Sequence, residues 1–248
     1  MTGEVGDDLP EVHLSDVKQE LEPVKGMSVW ARMRLSYLDM RAATRTLIDE
    51  DPTEPRLLFL VLMSDVIFFL SFGVRLVVSP SAAIEQTLPL PAALGVGLIR
   101  ILLLRTFTLY VFAALVSIVG RLLGGSGGFK DTRAAVFWGS LVSAPIGVLG
   151  ALVGAAFANF ESVYPILSTP VFAWPPLLIG VVAFVFFLSA GIAEAHRFAR
   201  TSPVFIFFSV LTIVIVLGGM YLYAATGLGE ALEMMRQQDM AGATRSGA

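Results

Sequence analysis

The chain contains no cysteine, which excludes disulfides, thiolate metal sites, iron–sulfur clusters and a cysteine nucleophile. Histidine is nearly absent. His13 and His196 are too few and too separated to suggest a metal or haem site, and no cofactor is expected. Charge is scarce as well, at 15% of residues, whereas an ordinary soluble domain carries about a quarter. No soluble domain with a basic face is offered to nucleic acid. The short alternating segments of a membrane barrel, about ten residues each, are missing. The first residues lack the marks of a secretory signal. Glu4, Asp7, Asp8 and Glu11 stand where a positive region would be, and no apolar stretch follows. The same acidity argues against a transit peptide, so membrane insertion is expected to depend on the first apolar helix.

What the chain has in excess is apolar sequence, 56% of residues with a mean hydropathy of +0.78. It lies in separated blocks of about 20 residues, the length that crosses a bilayer as a helix. The expected fold is an all-α integral membrane bundle of five transmembrane helices, with an amphipathic interfacial helix before them. Residues 1–26 are acidic, interrupted by proline and poor in aromatics, and read as a disordered tail. Residues 27–50 form the amphipathic helix, 56–225 the bundle and 226–248 a C-terminal tail.

In the amphipathic helix, Val29, Trp30, Met33, Tyr37, Met40, Leu47 and Ile48 fall on one arc at 100° per residue. Arg34, Arg41 and Arg45 line its edge, where their stems can lie along lipid and their guanidinium groups reach headgroup phosphates. The alternative is a helix packed under the bundle. The spans are expected near 57–78, 101–119, 134–157, 175–194 and 202–225. Arg105 then lies one turn into the second span, near the outer surface like Arg75. Glu85, in the loop between the first two spans, is placed to sit between these two arginines. Pro145 is expected to bend the third span. Trp30, Trp138 and Trp174 fit interfacial anchors, and His196 fits the headgroup level.

Orientation follows from basic residues in short loops. Arg32, Arg34, Arg41, Arg45 and Arg56 precede the first span, Arg121, Lys130 and Arg133 lie between the second and third, and Arg197 and Arg200 lie between the fourth and fifth. With five spans, all three groups share one side. The N-terminus is expected in the cytoplasm and the C-terminus outside.

Three stretches could carry chemistry. The run GGSGG, Gly124 to Gly128, matches a serine-hydrolase elbow and resembles the rhomboid protease motif. A membrane helix precedes it, however, where the hydrolase elbow needs a strand, and Ser126 sits among charges at the interface. A flexible turn is the expected reading, no catalytic residue is assigned, and no Gly-Lys-Ser/Thr follows to make a phosphate loop. Asp65 lies within a span, where an ionised carboxylate costs about 2.5–3.5 kcal/mol on insertion scales. Ser140, Ser143 and Ser189 fall in the same half of the membrane. Together they form a candidate polar layer that passes protons or a small solute, or else a protonated aspartate holding helices together. Gly147, Gly150 and Gly154 make a small-residue ridge for close helix packing, more readily within the chain than between copies.

DPTEPRLLFL at the first span, GRLLGGSGGFKDTRAAVFW at the elbow and GIAEAHRFARTSPVFIFFSVLTIVI over the last two spans resemble the bacterial branch of the Yip-one family, from about Arg41 to Tyr223. Its eukaryotic members are membrane proteins named for interacting with Ypt/Rab GTPases. The resemblance implies five membrane helices, a cytoplasmic N-terminus, a bacterial inner-membrane location and a non-enzymatic role. The expected partners are the lipid bilayer and other membrane proteins, with a homo-oligomer left open. The Asp-Leu-x-Gly-Pro-like motif of eukaryotic members is absent before the first span. The expected function is membrane organisation by interaction; the alternative is a small transporter or channel component built around Asp65.

Overall fold

The structure is a computed structural model and describes residues 26–78 and 89–226. The N-terminal tail with His13, the loop that carries Glu85 and the C-terminal tail lie outside the described residues.

Two short helices come first, α1 (Val29–Leu38) and α2 (Met40–Asp49). The single helix expected over this stretch is divided at Asp39, and the cause is local. Asp39 is extended, with φ −146°, and its N–H closes α1 on the Leu35 carbonyl. Its carboxylate then accepts from the Ala42 N–H at 2.9 Å and caps α2. Five long stretches follow: α3 (Glu54–Val78), α4 (Leu90–Arg100) continuing through a π-helical segment (Ile101–Arg105) into α5 (Thr106–Leu122), α6 (Phe129–Phe160), α7 (Pro170–Ala195) and α8 (Ser202–Ala225). Each contains a segment long and apolar enough to cross a membrane. The second span therefore starts at Leu90, well before the position expected from sequence, and its first turns are apolar residues of the expected loop.

The bundle is built on α6. It runs parallel to α3: Lys130 bonds Asp51 at 2.5 Å, Arg133 bonds Glu54 at 2.5 and 2.8 Å, and deeper in Ser140 meets Ser64 at 2.9 Å. It runs antiparallel to α7, because Gly139 packs on Leu188, Gly147 on Gly180 and Gly150 on Pro176. These are close approaches. A Cβ on Gly150 would stand 2.4 Å from the Pro176 carbonyl oxygen, and one on Gly139 would stand 3.3 Å from the Leu188 backbone. Gly154 lies one turn beyond Gly150, at ordinary contact distance from Pro176.

Phe137, Trp138, Leu141, Leu188 and Ile192 fill the centre, and Leu47 of α2 and Leu57 and Leu60 of α3 close on it. Trp138 is completely buried, so it is no interfacial anchor. Its indole N–H donates to Ser36 Oγ at 2.8 Å, which ties α1 to α6. Tyr37 donates to the Val142 carbonyl at 2.9 Å, three residues before Pro145, whose missing N–H leaves the neighbouring Leu141 carbonyl without its helical donor. By contrast α8 turns most of its apolar surface outward, as a lipid-facing helix does.

Candidate functional site

Asp65 lies midway along α3 and is fully buried, so an unpaired charge there would carry a large desolvation penalty. It is paired. Its Oδ1 accepts from Arg105 in the π-helical segment, and its Oδ2 accepts from the Thr106 hydroxyl at 2.6 Å. The other arm of the guanidinium donates to Ser140 Oγ at 2.7 Å and Ser64 Oγ at 3.0 Å. The Arg105 guanidinium also stands over the Phe68 ring, 4.8 Å from its centroid. The expectation of a shallow Arg105 is thus overturned. Because the second span begins at Leu90, Arg105 falls near its middle, at the level of Asp65, and supplies that residue's counter-ion.

Of the expected polar residues, Asp65 and Ser140 join this cluster directly. Ser143 bonds back to the Ser140 carbonyl at 3.0 Å and borders the cavity beside it. Ser189 belongs elsewhere: its hydroxyl bonds the Val185 carbonyl of its own helix at 2.6 Å. Ser64, Thr106 and the role of Arg105 escaped the sequence reading. The signal that would have found the pair is opposite charge in consecutive apolar spans.

Beside the cluster is a cavity of about 550 Å³ between α3, α6, α7 and α8. Its walls are mainly aromatic and aliphatic, with Arg105, Arg75, Ser143 and Thr212 among its polar groups.

A second polar system lies at the end where basic residues gather. Glu194, at the last turn of α7, accepts from Arg41 at 2.9 Å and from Arg45 at 2.6 Å. Arg41 also donates to the Phe198 carbonyl at 2.8 Å. Glu50 binds Arg32 and, at 2.5 Å, Arg56. Arg32 is buried under the Trp138 ring, and its burial, only partly offset by Glu50, lowers its pKa. Two of the three arginines assigned to lipid phosphates therefore hold a protein carboxylate. Arg34 remains exposed, with Trp30 one turn before it and Leu38 one turn after.

The glycine elbow forms a lid over His196. A Cβ at Gly120 or Gly125 would stand 2.4 and 2.6 Å from the imidazole, and one at Gly127 would stand 2.3 Å from the Ala195 carbonyl oxygen. Gly124 takes a φ of +87°, which favours glycine. The imidazole is buried rather than at headgroup level. The Thr132 hydroxyl spends its proton on the Gly128 carbonyl at 2.9 Å, so His196 Nε2–H donates to Thr132 Oγ1 at 3.0 Å. Nδ1 is left buried without a partner. Burial, then the positive Arg121, lower the His196 pKa; Asp131 opposes them. Ser126 meets this residue through backbone, its N–H donating to the His196 carbonyl at 3.2 Å. Among the described residues no cluster of three or more potential metal ligands occurs.

A helical bundle with five apolar helices of spanning length and charge compensated in its interior defines a multi-pass membrane protein. The family follows from the sequence. The Yip1 domain model matches residues 36–223, most of the chain, and the protein belongs to that family. No curated protein and no solved structure matches it.

Proposed function

We propose that the protein is non-enzymatic and organises membrane by interaction, with the α1–α2 pair as its contact surface. The observation that carries this reading is the outward face of α1. Trp30 and Leu38 are 72% and 87% exposed, with Arg34 between them, on a helix pair fixed to the bundle through Glu194 and Glu50. A rigid platform that displays an aromatic, a cation and an aliphatic side chain suits the headgroup layer or a membrane-protein partner. The basic end is assigned to the cytoplasmic side, following its arginines and lysines, and the membrane to a bacterial inner membrane, following the family resemblance. Self-association is one form the interaction takes in this reading.

The test is a photo-crosslinking residue at position 30 or 38, compared with position 217 on the outward face of α8. Adducts to other membrane proteins, or to a second copy, are expected from α1 and exceed those from α8. Equal yields from both positions would remove α1 as the contact surface.

The transport reading draws support from the cavity beside Arg105. Against it, both Asp65 oxygens are engaged, which suits a fixed strut better than a proton carrier. Asp65→Asn separates the two: retained abundance with loss of a solute flux favours transport, and collapse of abundance favours the strut.

A further inference from the structure

We infer that the central cavity is a binding site for one anionic lipid, its acidic headgroup bound by Arg75, with the free N–H donors of Arg105 deeper in the space and its chain lying against the apolar walls. The charge balance argues for an anion. Asp65 is committed to Arg105 and Thr106, which leaves the positive charge of Arg75 at the cavity without a carboxylate partner among the described residues. Arg105 is not exhausted either. A guanidinium has five N–H donors, and the protein bonds named above use three. Three hydroxyls around the space spend their protons at home: Ser71 on Ile67, Ser143 on Ser140 and Thr212 on Phe208, while Ser140 shares a bond with Ser64. The donors left for a ligand are therefore mainly cationic, which favours an acid over a neutral polar solute.

The walls argue for a chain attached to that acid. Phe68, Phe72, Val181 and Phe184 line the space, and at about 550 Å³ it has room for a headgroup and part of one acyl chain, the rest of the lipid staying in the bilayer. Its position inside the bundle at membrane depth gives a lipid access without leaving the bilayer. One wall is also open by construction: a Cβ on Gly147 would meet nothing within 4 Å, so the ridge of α6 leaves room there. This site is separate from the α1–α2 surface, and each can fail without the other.

The experiment uses the full chain, purified in delipidating detergent and titrated in native mass spectrometry. Phosphatidylglycerol, phosphatidylcholine of equal chain length and oleate are the probes, and inorganic phosphate is the competitor. One phosphatidylglycerol is expected to bind saturably, at least about tenfold more tightly than phosphatidylcholine, as expected for a bond to a charged group. Arg75→Gln is expected to weaken it by a similar factor. Gly147→Leu is expected to abolish saturable binding by filling the space while the circular dichroism spectrum stays unchanged. If Gly147→Leu does not fold, the exposed Arg75 decides through Arg75→Gln and Arg75→Glu. Equal binding of both phospholipids, or no effect of the Arg75 variants, would overturn the site. Displacement of the bound lipid by millimolar phosphate, or tighter binding of oleate, would overturn the phospholipid as its occupant.

Discussion

Asp65 and Arg105 are each costly in a bilayer and tolerable only together. Breaking a buried pair strands the surviving charge, at about 3–5 kcal/mol, whereas replacing both partners by apolar groups is often close to neutral. Thermal unfolding in detergent should therefore show a large loss for Asp65→Asn or Arg105→Met, and a smaller loss for Asp65→Leu combined with Arg105→Met than for either single change. Additive losses would mean the two residues act apart. His196 poses the opposite case, a base kept neutral by burial. Its folded pKa is lowered from the ordinary 6.5, so the unfolded chain binds the proton first as pH falls. The stability it contributes is complete above pH 6.5 and is lost as pH drops through the folded value. Melting temperature should fall with acidification through that window. His196→Gln should flatten the dependence, and an unchanged slope would assign it to other groups.

Between elements, fit is decided by single carbons. Gly150 and Gly147 lie one turn apart on α6, yet a methyl at Gly150 runs into the Pro176 carbonyl while one at Gly147 enters open space. Gly150→Ala is expected to destabilise by about 1–3 kcal/mol through overpacking. Gly147→Ala should be neutral or stabilise by up to about 1 kcal/mol through helix propensity. Paired melting curves would check the contrast, and equal effects would refute the α6–α7 register. The sequence announced a small-residue ridge but not its partner, because close approach depends on which helix face the neighbour turns. The spans were legible because apolar length is a one-dimensional property. The start of the second was not: Pro89 and Pro91 suggested a loop, whereas proline is at home in a first helical turn. That misplacement carried Arg105 to the wrong depth. The break at Asp39 was hidden too, since aspartate stops and restarts a helix only when its backbone is extended. Glu194 was legible as a charge and illegible as a clasp. With Glu194→Gln, amide hydrogen exchange in residues 28–50 should accelerate while exchange in α6 stays slow; unchanged exchange would mean that buried Ala43, Thr44 and Leu47 hold α2 without it.

At the scale of the molecule, the basic end is tied through Glu194, Glu50, Lys130–Asp51 and Arg133–Glu54, and the interior through the Asp65–Arg105 knot. If all five helices cross, reporter fusions at the two chain ends are expected to register on opposite sides. Same-side reporters would remove one span. The interior knot also bears on how the protein is made. Its acid and its base are 40 residues apart on consecutive spans, and the acid leaves the ribosome first. Until the second span arrives, α3 carries an unpaired carboxylate that costs about 2.5–3.5 kcal/mol at depth on insertion scales. Entry of the two spans as one hairpin is therefore favoured, and slowing translation just after the first should raise the fraction of chains that fail to integrate.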